Sequence, residues 1–266
     1  MYPTDIAATS NNSGLVTISF FKYTGKNVLW ALSEMHFAKK PLSETPGLTF
    51  YKLMGSGGGD GFSLKPDFNV YALIGIWKTK EYAKNFFRTS KVFRGFKDHC
   101  KTCWTLQMEP IKTKGKWNKI NPFLPLSSDL GYDGKIAVLT RATISTKHLF
   151  SFWNSVPGVS EILKMQDGLI FSKGLGEYPL FQQATFSIWE NKRALHLFAY
   201  HSQKHKEVID KTHAKGWYKE DLFTEFKILE TEGEWEGINF SFSEEEKRRS
   251  EAIHDILKQS LSEKSG

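Results

Sequence analysis

Two histidines in one predicted helix are the residues of this sequence whose type and spacing could do chemistry. From Asn191 onward, apolar residues recur at steps of three and four, which predicts an amphipathic helix. His201 and His205 fall on the same side of it as Phe198. Imidazoles on an apolar stripe are either core histidines hydrogen-bonded to backbone or ligands directed into a cavity.

The composition is that of a globular protein rich in aromatic residues. The 266 residues are 40% hydrophobic and 24% charged, which is ordinary, but 14% are aromatic, including 21 Phe and 8 Trp. Rings in this number either fill a core or line a site for a large apolar ligand. The net charge of +7 favours an acidic partner or an anionic membrane surface. The cations are spread along the chain without a recognition motif, so nucleic-acid binding is not predicted.

Targeting and membrane signals are not recognisable in the sequence. The N-terminus has no signal-peptide pattern, and the longest uncharged apolar run, Phe68 to Trp77, is about half the length of a spanning helix. Two cysteines are too few for a disulfide framework. We therefore expect a cytoplasmic protein.

Two further motifs are weak. The glycine cluster Gly55–Gly61 lacks the register of a phosphate-binding loop, so we interpret it as a loop between two strands. His99-Cys100-Lys-Thr-Cys103 lacks the second ligand pair of a zinc site and the following histidine of a covalent haem site. Two reduced thiols are the simpler interpretation, and a redox dithiol stays open. Hydrolysis is poorly supported, because no nucleophile-elbow or HExxH pattern occurs.

Hydrophobic periodicity predicts the element order strand–helix–strand–strand–helix–strand twice. This order is that of a ferredoxin-like unit, so the predicted fold class is α+β. The predicted parts are a flexible arm (1–13), a first ferredoxin-like repeat (14–124), a linker (125–134), a second ferredoxin-like repeat (135–242) and a charged helical tail (243–266).

Identical residues at matching spacings indicate that the second unit duplicates the first. The matching sets are Gly47, Leu48, Phe50, Lys52 and Gly55 with Gly168, Leu169, Phe171, Lys173 and Gly176; Ile76-Trp77 with Ile188-Trp189; and Gly115, Trp117, Ile120 and Asn121 with Gly233, Trp235, Ile238 and Asn239. Two such sheets either pack face to face or close into a barrel flanked by helices.

The duplication distinguishes the two histidines from ordinary core positions. The first unit has Thr89 and Phe93 where the second has His201 and His205. We expect this difference if the second unit binds a ligand and the first only packs. A neutral imidazole on a buried helix face, among rings such as Phe198, is a common axial ligand of haem iron. Core histidines remain the alternative.

Six segments together resemble the spheroidene monooxygenases of carotenoid biosynthesis, in order, over about Val16 to Phe240. They are PGLTFYKLMGSGGGDGF (Pro46–Phe62), VYALIGIW (Val70–Trp77), LTRATI (Leu139–Ile144), FWNSVPGV (Phe152–Val159), KGLGEYPLFQQATFSIW (Lys173–Trp189) and HKEVIDKTHAKGWYKEDLFTEF (His205–Phe226).

The resemblance implies a haem-dependent monooxygenase that hydroxylates and then ketolates the terminal carbon of an acyclic carotenoid, of the spheroidene to spheroidenone type. It implies haem b, molecular oxygen as co-substrate and electrons from a ferredoxin-type donor. The implied fold is the dimeric α+β barrel, formed within one chain by tandem ferredoxin-like repeats. The resemblance places His205 as the axial iron ligand. His201 is outside the family pattern and is the second choice, and Phe198 is a ring on the same helix stripe that would contact the cofactor. An apolar substrate would come from a membrane, so peripheral membrane contact is expected.

Arg141 is the candidate catalytic cation. It occupies a predicted strand position where the first unit carries Phe21, and a cation opposite the axial ligand could stabilise developing negative charge. A salt-bridged arginine is the alternative.

The candidate cavity walls, each also acceptable as plain core, are Phe86, Phe150, Trp153, Phe186 and Phe198. Two other functions stay open, namely a non-enzymatic binder of haem or isoprenoid and a cofactor-free oxygenase of the same fold.

Overall fold

A computed structural model describes most of the predicted globular part. The described residues are 14–58, 65–123, 132–154, 166–178, 180–201, 216–235, 237–238 and 240, with the backbone alone at 199–201. His205, the predicted arm and the predicted charged tail therefore lie outside the described residues. The chain divides into one compact unit of residues 1–236 and a second of residues 237–266.

The described chain alternates strands and helices in the predicted order. Its elements are β1 (Leu15–Lys22), α1 (Asn27–Phe37), α2 (Lys39–Ser43), β2 (Leu48–Gly57), β3 (Pro66–Trp77), α3 (Lys80–Thr89), α4 (Lys91–His99), β4 (Thr102–Gly115), β5 (Ile136–Ile144), a 3-10 turn (Thr146–His148), α5 (the helical residues 149–154), β6 (Leu169–Tyr178), β7 (Gln182–Trp189), α6 (Lys192–His201) and β8 (Tyr218–Gly233). No described helix is long and apolar enough to cross a membrane.

The eight strands form a closed antiparallel barrel in the order β1-β3-β2-β6-β7-β5-β8-β4. Closure leaves no free sheet edge, because β1 to β4 join β5 to β8 through β2 with β6 and β4 with β8. Of the two arrangements that the sequence left open, the closed barrel is therefore the observed one. Common ancestry of the two halves stays a prediction.

The interior of the barrel is filled with aromatic rings. Phe20 of β1 contacts Phe171 of β6, Phe186 of β7 and Trp235, at centroid distances of 5.1, 5.6 and 5.8 Å. Side chains alternate along a strand, so the neighbours of these residues point outward, toward the helices. Many of the aromatic residues therefore fill the core.

The outer face of the first half packs against α1, α3 and α4. Phe21 and Tyr23 meet Phe93 and Phe96 there, next to Trp77. The apolar periodicity from Lys80 to His99 predicts a single helix, but two are observed. The break lies at Ser90, whose extended backbone (φ −66°, ψ 124°) ends α3 and whose Oγ accepts the backbone N–H of Phe93 at 3.3 Å. A serine that caps a new helix in this way competes with continuation of the old one.

Candidate functional site

The outer face of the second half of the sheet lies against the helix that the histidine pattern predicted. Asn191 begins α6, and its Oδ1 accepts the backbone N–H of Ala194 at 2.9 Å. Phe198, 9% exposed, stacks on Trp189 of β7 with centroids 5.1 Å apart and planes 27° apart. Val138 of β5 belongs to the same apolar cluster. The described part of the helix therefore packs on this sheet face with Phe198 buried, as predicted, whereas the histidine end of the predicted stripe lies outside the described side chains.

Four residues lie in register on adjacent strands across this curved face. Ser172 of β6 is paired with Ser187 of β7, Ser187 with Val138 of β5, and Val138 with Glu225 of β8. Three strand spacings separate the ends of the row, roughly 14 Å. We call these four residues the outer row.

Both ends of the outer row carry buried oxygens without a hydrogen bond among the described residues. Ser172 is 6% exposed and its Oγ has no partner, whereas Ser187 Oγ accepts Trp189 Nε1–H at 3.0 Å. Glu225 is 1% exposed, and its Oε1 lies 3.3 Å from Lys112 Nζ while Oε2 has no partner. Native proteins satisfy nearly all buried polar atoms, so each of these two oxygens can form a hydrogen bond with a residue outside the described ranges or with a bound group. The outer row is therefore our candidate binding face.

The structure does not describe the side chains of the two predicted iron ligands. His201 is the last described residue of α6, and only its backbone is described. His205 lies outside the described residues. Among the described residues, no group of three or more His, Cys, Asp or Glu side chains could hold a metal ion. Iron ligation by His205 therefore stays a prediction.

Arg141 lies inside the barrel, in a cluster of buried charges. Its Nη1 donates to Glu220 Oε1, and its Nη2 lies 3.8 Å from Glu177 Oε1. Glu177 also accepts from Lys52 Nζ and from Trp117 Nε1, the latter at 2.6 Å. The indole of Trp117 has Lys52 Nζ and Arg141 Cζ at 5.7 and 5.8 Å from its ring. We call these five residues the barrel cluster.

Strand register places Arg141 and Phe198 on opposite faces of the sheet. Arg141 alternates with Val138, which packs with Phe198, because β5 pairs with β7 without a bulge. At 1% exposure and with two carboxylates near it, Arg141 has the contacts of the salt-bridged alternative. A catalytic role for Arg141 stays a prediction.

The first-half counterpart of Arg141 is Phe20, one residue before the predicted one. Arg141 pairs with Ala184, five residues before Trp189. Phe20 pairs with Ala72, which likewise lies five residues before Trp77. The alignment of Arg141 with Phe21 was therefore wrong by one position. This matters because Phe21 faces the helices, whereas Phe20 and Arg141 face the interior.

Glu220 joins the barrel cluster to the turn after β4. Its Oε1 accepts the backbone N–H of Asn118 at 2.9 Å and its Oε2 that of Lys119 at 2.7 Å. Burial raises the pKa of Glu220, but the two backbone donors and Arg141 outweigh this, and the net pKa lies below its usual value. The carboxylate is therefore held in its charged form.

The proposed cavity walls do not gather at one site. Phe86 packs with Trp77 in the first half and Phe186 lies inside the barrel. Trp153 is buried beside Phe152, and Phe150 is 82% exposed. Of the five rings, only Phe198 belongs to the cluster that covers the candidate binding face.

Ser172 and Glu225 were missed by sequence analysis. Ser172 lies between Phe171 and Lys173, and Glu225 between Thr224 and Phe226. Such a local sequence predicts a solvent-facing side chain as readily as a site. Only the pairing of four strands brings them into one buried row. Their spacing along the chain carries no signal of that pairing.

Comparison with solved structures supports the fold. An aldoxime dehydratase superposes with a TM-score of 0.56 over 80% of this chain and 81% of its own, at 12% identity. A second, aldoxime dehydratase OxdRE in complex with butyraldoxime, gives 0.54 over 80% and 79%, at 10% identity. The protein is thus an α+β barrel whose second half carries a covered, partly polar sheet face.

Comparison with curated sequences identifies the family. Spheroidene monooxygenase of Rhodobacter capsulatus is 35% identical over 225 residues, which cover 84% of this chain and 93% of the relative. That of Cereibacter sphaeroides is 34% identical over 84% of this chain and 69% of its own length, and that of Rubrivivax gelatinosus 26% over 80% and 81%. No family model matches the chain. The chain belongs to the spheroidene monooxygenase family, which confirms the resemblance seen in its motifs.

Proposed function

We propose that the protein is a haem-dependent monooxygenase that hydroxylates and then ketolates the terminal carbon of an acyclic carotenoid. The observation that carries this proposal is the 35% identity with the Rhodobacter capsulatus enzyme over nearly the whole of both chains. Molecular oxygen is the co-substrate, and electrons come from a ferredoxin-type donor. The net charge of +7 suits an acidic donor of this kind.

The candidate binding face fits a flat, largely apolar cofactor with a few polar contacts. Phe198 and Trp189 supply stacked rings, and Val138 supplies an apolar surface. The Ser172 hydroxyl and Glu225 Oε2 are buried and lack partners among the described residues, so each has a free hydrogen-bonding position. Haem iron supplies the oxidation of the carbon–hydrogen bond when it is bound.

The chain's own residues would orient the cofactor and exclude water. The imidazole of His205 would hold the haem iron, and His201 would be its neighbour on the predicted helix stripe. A buried carboxylate such as Glu225 is the kind of group that accepts the second ring N–H of a ligating histidine. Ser172 can donate one hydrogen bond to a bound oxygen atom. Phe198 keeps this face dry.

An apolar substrate requires contact with a membrane surface. We therefore keep peripheral membrane association of a cytoplasmic protein as part of the proposal. The positive net charge would favour an anionic leaflet.

An absorption spectrum of the purified, haem-supplemented protein tests the cofactor and its ligand together. We expect a Soret band in the wild type that is lost in His205→Ala and retained in His201→Ala. His196→Ala is the matched control, since His196 is an exposed histidine of the same helix. Incubation with reductant, oxygen and spheroidene should give a product with one added oxygen atom, and then a ketone.

Each other result contradicts a defined part of the proposal. Loss of the band in His201→Ala alone would exchange the roles of the two histidines. Retention in both variants would favour core histidines. A band without turnover would indicate a non-enzymatic binder, and turnover without a band a cofactor-free oxygenase.

A further inference from the structure

The helix that follows β1 is apolar on its exposed side as well as on its buried side. α1 packs inward through Ala31 and through Ala38, the residue that ends it, which are 4% and 1% exposed. Leu29, Leu32 and Phe37 lie on the other side and are 73%, 48% and 65% exposed. A surface helix normally carries polar residues toward solvent, so a helix that is apolar on both sides is suited to a further contact.

The three exposed apolar side chains form one continuous patch. At 100° per residue, Leu32, Leu29 and Phe37 fall in this order within an arc of about 140°. Ser33 and His36 complete the arc, and the Ser33 hydroxyl donates to a backbone carbonyl of its own helix at 2.7 Å. We call these five residues the α1 patch. Exposed apolar patches of this kind mark contacts with another protein or with a membrane.

The opposite side of α1 is fixed to the first half of the barrel. Asn27 Nδ2 donates to His99 O at 2.7 Å, and the Trp30 ring stacks on the His99 ring with centroids 3.9 Å apart and planes 6° apart. Trp30 also packs beside Tyr23 at a centroid distance of 6.0 Å. The helix cannot turn its patch inward without breaking these contacts. The α1 patch is therefore a fixed part of the surface.

The charges beside the α1 patch are positive. Lys26 immediately precedes α1, Lys39 and Lys40 follow it, and all three are exposed. Glu34 is the only carboxylate in residues 26–40, and it falls about 60° beyond the edge of the patch on the helix circumference. Apolar side chains between cations are the pattern of a helix that lies in the interface of an anionic membrane.

We propose that α1 docks the protein on an anionic lipid bilayer. Leu29, Leu32 and Phe37 enter the boundary between headgroups and acyl chains, and the flanking lysines contact the lipid phosphates. A helix of 11 residues is about 16 Å long, so it lies along the surface and does not cross the bilayer. The choice of lipid as the partner rests on the proposed function, because a carotenoid is dissolved in a membrane. The contact itself requires neither haem nor turnover.

A second copy of the chain suits the α1 patch less well than lipid does. In a two-fold dimer, whether the helices pair parallel or antiparallel, lysines at the ends of one helix meet lysines of the other. Residues 26–40 place no carboxylate on the patch to neutralise them, so like charges would face each other. Three large apolar side chains also fall short of the roughly 800 Å² per partner of a stable interface. An anionic leaflet neutralises both ends of the helix.

Vesicle sedimentation tests the proposal on the full-length protein, without haem or carotenoid. The probes are vesicles of equal parts phosphatidylglycerol and phosphatidylcholine, and vesicles of phosphatidylcholine alone. We expect the wild type to bind the anionic vesicles at least about tenfold more tightly than the neutral ones, because several lysines lie at the surface. This binding should weaken as the salt concentration rises.

Two double variants separate the apolar and the charged contributions. Leu29→Ser with Phe37→Ser should lower the partition coefficient at least about tenfold, because two large apolar side chains no longer leave water. Lys39→Gln with Lys40→Gln should lower it about fivefold for each lysine on anionic vesicles and leave neutral vesicles unaffected. Phe150→Ser is the matched control, since Phe150 is 82% exposed but belongs to the second half, and it should bind like the wild type. Melting temperatures show that each variant is folded.

Three results would overturn the proposal. One is a wild type that binds neither kind of vesicle or binds both equally. Another is unchanged binding in the Leu29→Ser, Phe37→Ser variant. The third is a wild-type dimer that the same variant converts to a monomer in light scattering, which would make the α1 patch an interface between copies. A protein that shows the Soret band and turns over detergent-solubilised carotenoid but leaves the vesicles unbound contradicts the docking alone, and the reverse result contradicts the proposed function alone.

Discussion

Arg141 and Glu220 form an ion pair inside the barrel that also supports a backbone turn. Glu220 accepts from Arg141 Nη1 and from the backbone N–H groups of Asn118 and Lys119. Both turn residues have positive φ, 55° and 72°, which is costly for residues other than glycine. One carboxylate thus offsets the cost of the turn and neutralises a buried cation.

Removal of the cation should be strongly destabilising. We expect Arg141→Leu to lower the free energy of unfolding by about 1.5–3 kcal/mol, because Glu177 and Glu220 would lose a countercharge but keep their other donors. Lys40→Leu is the control, since Lys40 is 84% exposed and lies 4.0 Å from Glu44, and should change stability by less than about 0.5 kcal/mol. Urea unfolding followed by tryptophan fluorescence measures both. Equal losses of unfolding free energy in the two variants would show that the buried ion pair contributes no more to stability than the exposed one.

Glu220 should make the protein sensitive to acid. Its pKa is lowered by folding from a reference value of 4.5, so its contribution to stability is full above that value and is lost as pH falls through the lower pKa of the folded state. Glu220→Gln should therefore be less stable than the wild type at pH 7, with a gap that narrows at lower pH. Unfolding free energies at pH 7 and pH 4 measure the gap. Glu44→Gln, on an exposed helix surface, should show no such change.

The glycine that ends β4 should not tolerate a side chain. Gly115 has φ +96°, and a Cβ there would lie 2.2 Å from Asp221 O of the neighbouring strand. Gly25 also has a positive φ, +58°, but open space around it. We expect Gly25→Ala to cost about 1 kcal/mol from backbone strain alone and Gly115→Ala clearly more. Thermal unfolding compares the two, and similar melting temperatures would refute the clash.

The two serines of the outer row should respond in opposite ways. Ser172→Ala removes a buried hydroxyl without a partner among the described residues, so stability in the absence of cofactor should stay equal or rise. Ser187→Ala removes the acceptor of Trp189 Nε1 and should cost about 1–3 kcal/mol. If Ser172 contacts a bound group, carotenoid turnover in Ser172→Ala should fall about fivefold, the equivalent of one hydrogen bond. Unfolding by urea and product analysis separate the two effects, and a large loss of stability in Ser172→Ala would contradict the assignment.

Much of the fold could be predicted because it depends on local patterns. Alternation and β-branched residues predict a first strand over Leu15–Tyr23, within one residue of the end of β1. Steps of three and four predict α6 with Phe198 on its buried side. The family was also recognisable, since motifs such as Val70–Trp77 are contiguous in the chain. The break between α3 and α4 was missed, although the cap at Ser90 is itself a local signal.

The sequence by itself predicted the strands, most of the helices and the family, whereas only the tertiary structure decided which residues share a face. A shift of one residue in register moves a strand side chain to the other face of the sheet. That shift separates Phe20 from Phe21, and it places Arg141 inside the barrel rather than beside Phe198. Likewise, only the pairing of four strands places Ser172 and Glu225 in the same buried row. The spacing of residues along the chain does not reveal such long-range pairing.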